Sequence, residues 1–128
     1  MGNMRYSHHQ GREGSFAAVE KLAKKYDVEM EILDPGFSSA LSNPESDAFR
    51  FVEKAVRTVF PGVITTPYLM TGASDCRFMS RISENCLRFA PFKISAEQLN
   101  SIHAIDENLD LDALAPAVDF YKYILTEA

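Results

Sequence analysis

The sequence predicts an α/β fold on three observations. Three stretches, 15–26, 46–60 and 111–126, repeat apolar residues at three- and four-residue spacing, as amphipathic helices do. Three shorter ones, 28–33, 63–70 and 86–90, alternate in polarity or are rich in β-branched and aromatic residues, as strands are. Turn residues separate them, notably Asp34-Pro35-Gly36 and Pro61-Gly62. Helices and strands taken in turn along a chain bury their apolar faces most readily in layers.

Each element has its own warrant. Residues 1–13 show no apolar period and are expected to be a disordered or tag-like terminus, with His8 and His9 solvated. From Ser15, a suitable N-cap, Phe16, Val19, Leu22, Ala23 and Tyr26 fall on one helix face, opposite Glu20, Lys21, Lys24 and Lys25. Asp27 breaks that run. In 28–33, Val28, Met30 and Ile32 then lie on one side of a half-buried strand. The Ser-rich connector 36–43, closed by Pro44, divides a first unit, 14–35, from a second, 36–128.

In the second unit Ser46 or Asn43 caps a helix with the apolar stripe Phe49, Val52, Val56, Val59 and Phe60, and with Glu53, Lys54 and Arg57 on its wet side. Pro61-Gly62 stops it. The strand 63–70 follows, at the cost of one ladder bond at Pro67. A short helix is expected over 76–82, a buried strand over 86–90 and a closing helix over 111–126. Pro116 fits that last helix only in its first turn or at a bend.

Composition bounds the function. The 128 residues suffice for one domain, and 46% hydrophobic with 11% aromatic content describes a globular chain. Thirteen Lys and Arg against 18 Asp and Glu give a formal charge of −5, which argues against nucleic acid or an anionic membrane as partner. No apolar run reaches the roughly 18 residues of a membrane span, and no signal-peptide pattern opens the chain. Cys76 and Cys86 read best as two free thiols in a reducing cytoplasm.

Two segments carry chemistry. Thr71-Gly-Ala-Ser-Asp-Cys-Arg-Phe78 places a small-residue turn and a guanidinium after a strand, where open α/β sheets hold their ligands. Turn amides at Gly72, Ala73 and Ser74 with the planar fork of Arg77 suit a carboxylate. The plain alternative is a surface Arg77 paired with Asp75 or Glu84. Ser101-Ile-His-Ala-Ile-Asp-Glu107 holds His103, the one histidine beyond residue 9, and on residue type alone, between Ile102 and Ile105, a structural histidine is the commoner case than a metal ligand. A single imidazole cannot hold zinc, which takes three or more protein ligands in catalytic sites. Arg88, mid-strand, either faces the cleft or makes a salt bridge.

Three strings in order, Gly72-Ala-Ser-Asp-Cys-Arg-Phe78, Cys86-Leu-Arg-Phe-Ala-Pro-Phe92 and Ile102-His-Ala-Ile-Asp-Glu107, followed by an amphipathic helix, resemble the C-terminal part of the zinc-dependent aminoacylase and Gly-Xaa carboxypeptidase family, metallopeptidase family 20. The resemblance covers about residues 14–127. It implies the C-terminal half of a zinc-exopeptidase-like three-layer α/β/α domain, preceded at 14–35 by a helix-strand remnant of a ferredoxin-like lid or dimerisation domain. It further implies His103 as one metal ligand, Gly72, Ala73, Ser74 and Arg77 as the substrate-carboxylate site, and Asp75 and Glu107 as supporting carboxylates. The substrate class would be N-acyl amino acids or peptides. The two-zinc site of the complete family enzymes also needs a His-x-Asp pair, a bridging Asp and a Glu-Glu pair with the general base, and these signatures do not occur in the 128 residues. No catalytic base is therefore assigned here. The chain is expected to be inactive alone and to act with a missing N-terminal half, or else to be a non-catalytic, self-associating module, a homo-oligomer such as a dimer.

Overall fold

A computed structural model of the protein describes residues 2–34, 36, 40–70 and 72–128. Met1, Pro35, residues 37–39 of the Ser-rich connector and Thr71 lie outside the described residues. Among the described residues five α-helices follow one another: α1 (Gly11–Lys25), α2 (Asp47–Val59), α3 (Cys76–Met79), α4 (Ala96–Ser101) and α5 (Leu114–Glu127), the last entered through a 3-10 turn at Leu111–Ala113.

The centre of the structure is the packing of α5 on α2. Ala55, Val56 and Phe120 are buried together, with Val52, Val59, Phe60, Tyr123 and Ile124 packed around them. Two ring pairs extend this core. Phe51 meets Tyr123 at a centroid distance of 6.2 Å, and Phe89 brings the 86–92 segment onto Phe120 at 5.1 Å. Both separations lie in the favourable range for tilted aromatic pairs. Pro91 beside Phe89 is fully buried.

Local chemistry sets the ends of α2 as the sequence predicts. Ser46 is the N-cap, its Oγ accepting the Phe49 N–H at 3.2 Å. Glu53 and Arg57 pair at 2.7 Å on the wet face. Past Val59 the Val63 N–H reaches back to the Phe60 carbonyl. That turn has Pro61 second and Gly62 third, and Gly62 has φ 85°, a conformation cheap only for glycine. Pro116 falls in the first turn of α5, where its missing N–H leaves no helical bond unmade.

Helix α1 departs from expectation at its start. It begins at Gly11, with Gln10 at the N-cap position, so the last residues of the stretch expected to be a tail are helical. Ser15 is therefore not a cap. It lies a turn inside the helix and its hydroxyl donates back to the Gly11 carbonyl at 2.7 Å, the i−4 bond open to a helical serine. The other end is as the sequence predicts: Asp27 terminates α1 in the left-handed region (φ 53°), with the Val28 N–H bonded to Ala23 O at 2.9 Å and the Asp27 N–H to Lys24 O at 3.4 Å. This pair of bonds is a Schellman ending with Asp in the usual glycine place.

The predicted strands are the main correction. Among the described residues 28–33, 63–70 and 86–90 carry no regular secondary structure, so neither the α/β layering nor a lid-like helix-strand pair is formed there. The physical reason is that a strand's hydrogen bonds lie outside itself. A helix closes its own ladder, whereas β-patterned segments stay irregular until a neighbour supplies donors and acceptors. Consistently, α2 and α5 are the one pair of α-helices in contact among the described residues. Ile64 (93%) and Tyr68 (81%) stand in solvent. The accessible surface is 10650 Å², against about 6,800 Å² for a compact protein of this mass. No helix among the described residues is long and apolar enough to cross a membrane.

Replacing Phe120, 4% exposed, by Ala should cost about 3 kcal/mol or more, since transfer and cavity terms add. Leu125→Ala, at a position 82% exposed on the same helix, should change stability by less than about 0.5 kcal/mol. Urea unfolding followed by circular dichroism measures both, and equal effects would contradict the core described here.

Candidate functional site

Residues 72–77 form a tight turn running into α3. The Ser74 carbonyl accepts the Arg77 N–H at 3.1 Å and the Asp75 carbonyl accepts the Phe78 N–H at 2.9 Å, which starts the helix one residue after Asp75. Asp75 holds the N-cap position with no side-chain cap bond and is exposed. Arg77, half-buried, lays its guanidinium over the Phe78 ring at 4.6 Å, a cation–π contact. The neighbouring Ser80 hydroxyl closes the short helix by donating to Arg77 O at 3.1 Å.

This turn is tied to the 86–92 segment by side chains. Arg88 donates from Nε to Ser74 Oγ at 2.9 Å and from Nη1 to Cys86 O at 3.5 Å. The Cys76 thiol approaches Leu87 O at 3.7 Å. Both thiols are free, as the sequence predicts. Gly72, Ala73, Ser74, Arg77, Arg88 and Phe89 line one broad, open concavity. Of the alternatives open for Arg88, the cleft is the one realised.

His103 belongs to a different surface. It follows the Ile102 C-cap of α4 and is exposed, outside the lining of that concavity. Its backbone is left-handed (φ 68°), and its N–H donates to Glu107 Oε2 at 3.0 Å. Glu107 is thus a loop-ordering carboxylate. It holds the main chain of His103, leaving the imbalance of a left-handed non-glycine residue to be offset by one charge-assisted bond. Among the described residues no three His, Cys, Asp or Glu side chains converge on a point where a metal ion could be held. The structure therefore gathers the predicted carboxylate-binding residues and leaves the predicted metal ligand apart from them.

One element, the helix that leads to His103, is not among those predicted from the sequence, although its signal was present. Helix α4 opens on a reciprocal capping box, with Ser95 Oγ accepting the Gln98 N–H at 3.1 Å and Gln98 Oε1 accepting the Ser95 N–H at 2.9 Å. Ser-x-x-Gln ahead of Leu99 is the recognisable form of that box. This helix is what delivers Ile102 and His103 to their turn.

The 72–77 turn thus presents small residues and a guanidinium to the concavity and is tied through Arg88 to the Arg-Phe-Ala-Pro segment. The chain belongs to peptidase family M20/M25/M40, whose model matches residues 6–127. It is similar to a probable carboxypeptidase S-like 2 of Dictyostelium discoideum, 29% identical over 73% of this chain and 18% of the relative. An N-fatty-acyl-amino acid synthase/hydrolase of Homo sapiens is 28% identical over 68% of this chain and 18% of its own length. A succinyl-diaminopimelate desuccinylase of Burkholderia ambifaria is 28% identical over 99% of this chain and 32% of its own length. The chain thus spans between 18% and 32% of these relatives. No solved structure matches it.

Removing the Glu107 acceptor should be felt at one amide. In Glu107→Ala the His103 N–H loses its partner and its hydrogen exchange should accelerate to that of an open loop, while Glu107→Gln, which keeps an acceptor oxygen, should fall between. Unchanged exchange in Glu107→Ala would show that the left-handed turn is held by other means.

Proposed function

We propose that this chain is the substrate-recognising portion of a metal-dependent amidohydrolase or exopeptidase, acting on N-acyl amino acids or dipeptides. The observation that carries the reading is the meeting of Gly72, Ala73, Ser74 and Arg77 on one concavity, in a chain matched by the family model over 6–127. The relatives' names support the substrate class. An N-fatty-acyl-amino acid and a succinyl-diaminopimelate are both acylated amino acids with a carboxylate to be held. Arg77 serves that end because a guanidinium offers two parallel donors to a carboxylate, and the turn amides add fixed positive partial charge.

The residues present do not by themselves make a metal site, since no group of three possible ligands converges among those described. No step of hydrolysis is accordingly assigned to this chain, and turnover is expected to be absent when it is alone. We assign His103 as a single imidazole donor to a zinc site completed by other polypeptide, an assignment its exposure and its fixed backbone support. In the same completed enzyme the β-patterned segments 28–33, 63–70 and 86–90 would gain the neighbours that strands require. Two free thiols support a reducing compartment such as the cytoplasm.

A second reading, self-association of a non-catalytic module, is favoured by one observation: Leu22, Tyr26, Ile64 and Tyr68 are all exposed apolar side chains. Size-exclusion chromatography with light scattering decides it, because a monomer at every concentration excludes that reading.

Binding tests the first reading without need of turnover. An N-acetylamino acid should bind the metal-free chain at about millimolar affinity or weaker, as one or two charge-assisted bonds in an open cleft allow. Arg77→Lys should weaken it, since a point charge cannot reproduce the planar fork. His103→Ala should leave it unchanged. NMR titration of the three proteins gives the answer. If His103→Ala removed binding and Arg77→Lys did not, the two roles would be wrongly assigned.

A further inference from the structure

Arg88 is not a residue that the proposed carboxylate site requires by its chemistry, yet it is built into that site's wall. Its Nε–H, partly buried, meets Ser74 Oγ at 2.9 Å across 14 residues of sequence, and its Nη1 meets the Cys86 carbonyl at 3.5 Å. Ser74 is the hinge of the binding turn, since its carbonyl accepts the Arg77 N–H that starts α3. A second tie, the Cys76 thiol at Leu87 O (3.7 Å), runs to the same 86–92 segment. Gly72 and Ala73 are exposed, and small residues bring no packing of their own. By contrast the segment bearing Arg88 is anchored in the core, with Phe89 on Phe120 at 5.1 Å and Pro91 fully buried.

We propose that Arg88 is a positioning residue. Through Ser74 it transmits the rigidity of the α2–α5 core to the Gly72–Ala73–Ser74 turn, so that the turn amides and Arg77 are held ready for a carboxylate. The proposal rests on the carboxylate reading of that turn. Preorganisation is where such a contact gains affinity, because a turn already fixed in its bound form loses less freedom when the ligand arrives. Arg88 need not touch the ligand. Its donor Nε is committed to Ser74, and a charge-assisted bond to a hydroxyl is among the stronger polar contacts a half-buried site can hold.

The test uses the full chain with N-acetyl-L-leucine as the probe, in wild type, Arg88→Gln, Ser74→Ala and the double variant. In ¹⁵N spectra the Arg88 Nε–H should exchange slowly with water in wild type and as fast as a solvated guanidinium in Ser74→Ala. Each single variant should weaken N-acetyl-L-leucine binding by about tenfold, equivalent to about 1.4 kcal/mol, and the double variant by no more than either one. Thermal unfolding, run alongside, separates loss of the fold from loss of the turn. Binding by wild type that survives Arg88→Gln unchanged, or an Nε–H signal indifferent to Ser74→Ala, overturns the positioning role alone. A double variant weakened by the product of the two single effects overturns it too, since the residues would then act independently. Absence of binding by a wild-type chain whose Arg88 Nε–H is protected instead sinks the carboxylate reading on which the role depends.

Discussion

The seam between α2 and α5 is the constraint on which everything else in this chain depends. Val56 and Ala55 from one helix and Phe120 from the other are buried, and the remaining described elements are attached to that seam or stand away from it. Phe89 joins through Phe120, and with it comes the segment that carries Arg88. Were the seam to open, the wall of the concavity would lose its backing, because among the described residues α3 packs on no other helix and is a single turn long. A four-residue helix has no stability of its own. Its order is borrowed through Arg88 and through Cys76 at Leu87.

The open character of the structure follows from the same arithmetic. A chain of this length could bury a full core, but part of the apolar residues that would do so lie in the β-patterned segments 28–33, 63–70 and 86–90. The helices can satisfy their backbone alone and so form. The β-patterned segments cannot, and the apolar residues of 28–33 and 63–70 remain largely exposed, which is why the accessible area of 10650 Å² exceeds that of a compact protein of this mass. An exposed apolar surface of this kind is a binding surface in waiting or an aggregation hazard, and the acidic balance of the chain is one protection against the second.

Helix boundaries were legible wherever a side chain or a turn residue decides them locally. Ser46, Asp27, Pro61-Gly62 and Pro116 each act within four residues of themselves, and each plays the part its chemistry suggests. Ser15 misleads for the same local reason: a serine ahead of an apolar run looks like a cap, yet the helix continues past it to Gly11 and the hydroxyl turns back on its own backbone. Helix α4 was readable from Ser95 and Gln98, since a capping box is written in sequence.

What the sequence determined by itself is therefore α2, α5 and the end of α1, the turn composition of 72–77 and the membership of its motifs in a peptidase family, because propensity, capping and short motifs are properties of neighbouring residues. Only the tertiary structure decided that Arg88 answers Ser74 across the cleft, that Glu107 serves the His103 main chain, and that His103 stands away from Arg77. Those outcomes depend on which segments meet in space. Strand pairing is the extreme case, for a β-pattern states which residues could face a neighbour and leaves the neighbour itself to the fold.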